Sequence, residues 1–463
     1  MDGTGPLATA RFAARDLGDR DFLAAHGVRL AYVVGAMVKG IASEAMLERL
    51  ARAGLLGFFG AGGCTLPRIA EAIDRLQASL PPEAPWGINF LHNFVLPAQE
   101  EALVDLLLAR GVRRIEASAF VQVTPALVRY RLNGLARDAA GVARPRNLVM
   151  AKLSRPEVAR QFLAPPPADI VASLAAAGRI TPDEAALAHT IPLADDICAE
   201  ADSGGHTDRR VAFTLVPNFC QLRDSLAATH GLAQRVRIGA AGGLGTPEAI
   251  AAAFMLGADF VLTGSINQAT PEAGTSEAVK DLLARAGIAD TDMAPAGDMF
   301  EIGAKVQVLR RGTLFPGRAQ RLYELYVRHE GLHEIPAATL TEIETRWFGR
   351  SIAEVWAETA AYYARAAPAE LAAAEANPKK RMGMVFRWYF VHTNRLAIEG
   401  KAADRANFQV HCGPAMGALN AWLAGTPLED WRARHVDVLA ERLMAGAADV
   451  VSQRLAALVA HRR

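Results

Sequence analysis

The stretch VRIGAAGGLGTPEA (236–249) decides the fold. A short apolar run ends on Gly242, Gly243 and Gly245. Thr246-Pro247-Glu248 then supplies a helix cap, a proline at the first helical position and an acid in the first turn. A strand feeding directly into a helix is half of a βαβ unit. That helix reads as ending at Gly257, and the next run, DFVLTGS (259–265), again closes on glycine.

Working outward, the same theme recurs along residues 31–268. The runs are AYVVGAM (31–37), GLLGFFGAGG (54–63), PWGINFL (85–91), RRIEASAF (113–120), NLVMAKL (147–153) and DDICAEADSGGH (195–206), followed by the two already quoted. Each is nearly continuously apolar over a few residues, as parallel strands buried on both faces must be. Helix punctuation lies between them. Ser43 precedes the Met46, Leu47, Leu50 face and Gly54 follows it; Thr65 and Pro67 open a segment whose Ile69, Ile73, Leu76 and Leu80 share one face. Eight strands alternating with helices within ~250 residues predict a (β/α)8 TIM barrel, an α/β fold. The gap between the fifth and sixth strands contains Pro165-Pro166-Pro167 and predicts an extra helix or loop. Beyond about residue 290 the chain turns Ala-, Leu-, Arg- and Glu-rich with helical spacing, and no strand of comparable strength is read there. The expected division is therefore a barrel over 1–290 and a mostly helical C-terminal appendage over 291–463, with Trp347, Trp356, Trp388, Tyr389 and Trp422 serving packing.

Composition narrows the function. The 463 residues carry 50 Lys and Arg against 49 Asp and Glu, a net charge of +1, which lacks the electrostatic footprint of a nucleic-acid binder or a polybasic membrane-surface protein. Mean hydropathy is +0.12, yet no stretch approaches the ~18 uninterrupted apolar residues of a membrane span. The polar, mixed-charge opening residues do not read as a signal peptide. Cys64, Cys198, Cys220 and Cys412 are scattered, giving neither a disulfide framework nor a zinc or other metal site. A cytoplasmic location is the expectation.

In a barrel of this kind chemistry gathers at the C-terminal strand ends, with phosphate after strands seven and eight. Gly242 and Gly243 end the seventh strand, and Gly264 and Ser265 end the eighth. Glycines let backbone N–H groups approach a phosphate, and the helix N-terminus adds its dipole. At the first strand end, the small Gly35 and Ala36 with Met37 suit a flat aromatic ring. Asn89 on the third strand offers an amide to such a ring. Lys152 on the fifth is a buried-looking cation that needs a phosphate, an electron-rich ring or a carboxylate such as Glu116 or Glu200. The sixth run ends in Asp202-Ser203-Gly204-Gly205-His206, where His206 can donate a proton near neutral pH or be merely structural.

GAMVKG (35–40), GFFGAGG (57–63), WGINFLHN (86–93), AEADSGGHTD (199–208), GAAGGLGTPEA (239–249) and DFVLTGSINQ (259–268) together resemble the nitronate monooxygenase-like (2-nitropropane dioxygenase-like) FMN flavoproteins. Residues 293–326, RSIAEVWAET (350–359), NPKKRMGMVFRWY (377–389) and CGPAMGALN (412–420) narrow the resemblance. They are similar to the PfaD-type trans-acting enoylreductases of polyunsaturated fatty-acid and trans-acyltransferase polyketide synthases. The resemblance covers about residues 25–440. It implies FMN as cofactor and NADPH, or NADH, as reductant of an enoyl thioester on an acyl carrier protein. It places the FMN phosphate at Gly242, Gly243, Gly264 and Ser265, and the ring beside Gly35, Ala36 and Met37 with Asn89 and Lys152 nearby. Asp202 is placed at the cofactor with its role open, and His206 and Lys152 are the catalytic candidates. Acyl-carrier-protein domains are the expected partners, approached between barrel mouth and appendage, with Lys305, Arg310, Arg311 and Arg318 as a candidate basic face; homodimerisation stays open. The competing expectations are a nitronate monooxygenase-type oxidase acting on small free substrates, a non-catalytic docking barrel and a flavin-free phosphosugar barrel.

Overall fold

The structure, a computed structural model, describes residues 11–93 and 97–460; the opening ten residues read above for a leader lie outside them. Eight parallel strands close into a barrel in sequential order: β1 (Tyr32–Val34), β2 (Leu56–Phe59), β3 (Trp86–Leu91), β4 (Arg114–Ser118), β5 (Leu148–Leu153), β6 (Asp196–Glu200), β7 (Arg237–Ala241) and β8 (Phe260–Thr263). Every one falls inside a run read from the sequence. The strands are nearly continuously apolar because each must be buried on both faces, by the barrel interior and by the helix layer.

The helix signals operate as read. Ser43 Oγ accepts from Met46 N at 3.1 Å and caps Glu44–Arg52. Thr65 caps Leu66–Ser79, whose Ile69, Ile73 and Leu76 are buried. Thr246 caps Pro247–Met255. Between β5 and β6 the triple-proline segment resolves into three helices, Pro156–Leu163, Ala168–Ala176 and Pro182–Leu187.

The N-terminal end of the barrel is plugged by helix Arg20–His26. Phe22 stacks on Phe260 with ring centroids 4.6 Å apart. His26 Nε2 meets Asp196 Oδ2 at 2.8 Å, and Arg237 clasps the same carboxylate with Nε at 2.6 Å and Nη2 at 3.0 Å. Asp196 and Arg237 open β6 and β7, so this network sits at the end opposite the glycine turns.

The chain divides into two compact units at places the sequence did not indicate. One comprises Met1–Asp202, Asp208–Gly274 and Trp422–Arg463; the other comprises Ser203–Thr207 and Thr275–Ala421. The 290/291 division read from sequence is therefore corrected twice. Residues 275–290 belong with the second unit. The last helix, Val436–Ala460, returns to the barrel, where it packs on Pro247–Met255 and Arg49 Nε holds Asp437 Oδ1 at 2.6 Å. By length and composition that helix could cross a membrane, with a mean hydropathy of 1.3 over its most apolar window. Its apolarity has a local cause, since Leu439, Leu443, Met444 and Ala447 are buried within the barrel unit.

The second unit is mostly helical, as the spacing beyond residue 290 predicts, with Phe315–Arg328, Ile352–Ala366, Pro368–Ala376 and Pro378–Glu399 as its longer helices. Trp347, Trp388 and Tyr389 are buried in its core with Phe300, Phe315 and Phe386. It also contains a sheet that the sequence reading missed. Strands β9 (Thr291–Pro295) and β10 (Lys305–Leu309) pair antiparallel, and β10 pairs on its other side with Gly205–His206. The run 195–206 is thus not one strand: β6 stops at Glu200, and the SGGH element is an edge of another sheet.

Candidate active site

The two glycine turns after β7 and β8 differ in what surrounds them. Gly242 adopts φ +91°, and a Cβ there would lie 2.7 Å from Ala201 C and Asp202 O, so only glycine lets the end of β6 pack against it. Among the described residues, chain neighbours aside, no atom lies within 4 Å of the Cβ position at Gly243 or Gly264. These two face open space, and the capped helix Pro247–Met255 begins four residues after Gly243. A backbone cradle open on its ligand side, beside a helix N-terminus, fits a phosphate group.

The wall at the β1 end is interlocked backbone. Lys39 N donates to Gly62 O at 2.7 Å, Gly40 N to Gly60 O at 2.9 Å and Gly60 N to Ala42 O at 3.0 Å. A Cβ on Gly60 would sit 1.6 Å from Met37 O, so GAMVKG and GFFGAGG are two halves of one packed loop pair. Gly35 N donates to Thr263 O at 3.0 Å, and Ala36 N to Glu116 Oε2 at 3.0 Å.

Inside the strand ends lies a charged layer. Asn89 is buried, and its amide donates to Glu116 O at 3.0 Å and Ser118 Oγ at 3.1 Å. Lys152 Nζ stands 3.5 Å from Glu200 Oε1. Burial opposes the charge on Lys152, but Glu200 and then Glu116 outweigh it, and the ammonium is held well above its ordinary value. Glu116 is wholly buried; desolvation raises its carboxyl against the pull of Lys152 and the Ala36 amide. Among the described residues Glu116 Oε1 has no hydrogen-bond partner. The arrangement supplies a fixed cation among carboxylates, one of which, Glu116, also holds the small-residue loop after β1.

Gly35, Ala36, Met37, Asn89, Lys152, Asp202, Gly242, Gly243, Gly264 and Ser265 all belong to the barrel unit, at the C-terminal ends of its strands or just beyond. Asp202 closes the first passage of the chain through that unit, its amide donating to Arg210 O at 2.9 Å. His206 belongs to the second unit. There its Nε2 meets Asp298 Oδ1 at 2.9 Å. Of the four basic residues, Arg311 pairs with Asp290 at 3.0 Å and Arg318 is tied to Asn407, which leaves them engaged within the fold.

Sequence reasoning passed over several polar residues. Glu116 was noticed only as a partner for Lys152, and Asp298 not at all. Glu100 was also missed: it pairs His92 Nδ1 at 2.7 Å while accepting from Asn93 N and Thr124 Oγ1. A lone acid within an apolar run, as in RRIEASAF, is the signal that marks Glu116.

The family model for nitronate monooxygenase matches residues 26–317. A second, for the inserted helical domain of [acyl-carrier-protein] S-malonyltransferase, matches 329–408. The crystal structure of the enoyl reductase domain of MlnA, from the macrolactin biosynthesis cluster of Bacillus amyloliquefaciens, is 42% identical with a TM-score of 0.92, covering 95% of this chain and 99% of that domain. This chain belongs to the PfaD-type enoylreductases of the nitronate monooxygenase superfamily. Polyketide biosynthesis protein PksE of Bacillus subtilis is 48% identical to this PfaD-type chain over 446 residues, which are 96% of the chain and 58% of PksE. A polyunsaturated fatty acid synthase polypeptide of a Thraustochytrium species is 44% identical over 418 residues, 89% of the chain and 28% of that polypeptide. The chain thus spans about half the length, or less, of these curated relatives. The family is one of oxidoreductases.

Proposed function

We propose that the chain is an FMN-dependent reductase of α,β-unsaturated thioesters tethered to acyl carrier proteins in polyketide or polyunsaturated fatty-acid synthesis. The observation that carries this reading is the match over 95% of the chain to an enoyl reductase domain. The residues present fit the cofactor: the cradle at Gly243 and Gly264 has room for a phosphate, with Ser265 beside it. The loop of Gly35, Ala36 and Met37 would flank the ring, with Asn89, Lys152 and Asp202 around it. When bound, FMN supplies hydride transfer from a nicotinamide, NADPH in this proposal, to the β-carbon of the thioester.

The chain's own residues then have separable tasks. Lys152, locked as a cation by Glu200, places positive potential where negative charge accumulates. His206 holds the proton that completes saturation at the α-carbon, since hydride and proton together account for the two added hydrogens. Acyl-carrier-protein domains are the partners, and the cytoplasm the compartment, under the same proposal.

Turnover of a crotonyl carrier-protein thioester with NADPH and with NADH, followed as a mass gain of two hydrogens, tests the reading. A protein that neither nicotinamide reduces, but that consumes dioxygen with alkyl nitronates, would overturn it in favour of the oxidase. A colourless preparation would exclude a flavoenzyme of either kind. Loss of turnover with flavin retained in His206→Ala is the expected sign of an acid; unchanged turnover removes His206 from the chemistry.

A further inference from the structure

We infer that Asp298 is the positioning residue for His206: its carboxylate fixes the orientation and tautomer of the imidazole through Nε2 and stabilises the cationic ring. The inference rests on the reading of His206 as the proton source. The contact is short, 2.9 Å from Nε2 to Oδ1, and both ends are built. On the His206 side the backbone is fixed by antiparallel pairing, His206 opposite Val306 and Gly205 opposite Gln307.

On the other side, Asp298 lies on the connection between β9 and β10, which is anchored on both flanks. Ala296 N donates to Ala304 O at 2.8 Å, closing the base of the connection. Gly297 O accepts from Arg387 Nε at 3.0 Å, and a Cβ on Gly297 would be 2.4 Å from Phe390 Cβ. Two residues after Asp298, Phe300 is wholly buried, its ring 5.5 Å from Tyr323 and 5.4 Å from Phe390. The carboxylate is therefore presented by a braced turn rather than by a free loop.

The two side chains are 47% and 60% exposed. An ion pair so exposed contributes little to stability. A purely structural role gives no reason to brace it, whereas a proton donor needs both a fixed tautomer and a stabilised cation. The surroundings agree. β10 presents Val306 and Gln307 to this edge, neither of them titratable. The 409–412 segment brings His411, whose Nε2 is bonded to Gln409 at 2.9 Å. Partial desolvation by the surrounding turn works against ionisation of Asp298, but the His206 hydrogen bond and charge, with a further contribution from His411, hold its carboxyl below the ordinary value.

The test uses the full-length, flavin-loaded protein with histidine-selective 15N labelling, the His206 signals being assigned by their absence in His206→Gln. Asp298→Asn is expected to lower the His206 titration midpoint by about one pH unit, the shift a neighbouring carboxylate supplies, and to release the Nε2–H tautomer. Turnover at neutral pH should fall roughly tenfold, the ratio corresponding to one pH unit, with KM and melting temperature unchanged. Asp298→Glu should recover part of both effects. An unmoved midpoint and tautomer in Asp298→Asn overturn the inference. If the midpoint moves while His206→Gln turns over at the wild-type rate, the pair stands as a contact, and it is the reading of His206 as proton source that fails.

Discussion

The Ala36 amide donates to the buried Glu116 carboxylate at 3.0 Å, tying the loop after β1 to the interior of β4. Glu116 O also accepts from the Asn89 amide, so one residue holds both the small-residue wall and the third strand. Glu116 is thereby the joint of the barrel's C-terminal end, although in the sequence it stands out only as a carboxylate partner for Lys152.

Replacing that joint has a graded expectation. Glu116→Ala leaves the Ala36 N–H without its acceptor and opens a cavity beside Lys152, costing about 2–4 kcal/mol in urea unfolding. Glu116→Gln keeps an acceptor and most of the volume and should cost clearly less. Equal losses for the two would show that the hydrogen bond to Ala36 does not hold the loop.

The cradle yields a sharper separation. Gly264→Ala places its methyl where, chain neighbours aside, no atom of the described residues lies within 4 Å, so unfolding of the apoprotein should shift by no more than about 0.5 kcal/mol, while the dissociation constant for FMN rises roughly tenfold. Gly242→Ala should do the reverse. At φ +91° and against the Ala201–Asp202 backbone, its methyl destabilises the fold by about 1–3 kcal/mol. Flavin titration by fluorescence quenching, with melting of the apoproteins, checks both. FMN affinity unchanged in Gly264→Ala would remove the phosphate from this cradle.

These contrasts also show what local sequence carries and what it does not. All eight barrel strands were legible because each lies in a nearly continuous apolar run, most of them ended by small residues, and the caps at Ser43, Thr65 and Thr246 because capping is local chemistry. The return of Val436–Ala460 to the barrel was not legible, since an apolar helical face does not say which surface it covers. β9 and β10 were hidden for another reason. TDMAP and KVQVL are five residues each, too short for a period to emerge, and they gain stability only by pairing. The passage of Ser203–Thr207 into the second unit, and the meeting of His206 with Asp298, are tertiary facts separated by 92 residues in the chain. In the site, the glycines were readable because backbone shape demands them, while Glu116 and Asp298 acquire meaning only from their partners.

Acid stability depends on the opposite end of the barrel. Asp196 is buried, and although burial raises its carboxyl, Arg237 and then His26 bring it down to about 2. A depressed carboxyl stabilises the fold above its unfolded value, near 3.9, and the contribution is lost as pH falls through about 2. The difference corresponds to roughly 2–3 kcal/mol at neutral pH. Urea unfolding of the wild type should therefore weaken between pH 4 and pH 2. Asp196→Asn should be destabilised at pH 7 and show a flatter acid limb. An equally steep limb in the variant would assign acid lability to other carboxylates.

Lys152 answers a different pH question. Its ammonium is held above the ordinary lysine value by Glu200 and Glu116 in spite of burial, so it stays charged across the working range and does not serve as the titrating acid. Under the proposed function, Lys152→Met should lower turnover roughly tenfold or more by removing a fixed charge from beside the reacting thioester, and leave the shape of the pH–rate profile unchanged. The profile decides between two roles for one residue. If the alkaline limb of the wild type between pH 8 and 10 disappears in Lys152→Met, Lys152 is losing its proton during turnover, and the ion pair with Glu200 is not the lock that the 3.5 Å separation implies. If the limb persists at lower amplitude, proton supply lies elsewhere, and the same profile recorded for Asp298→Asn then locates it at His206.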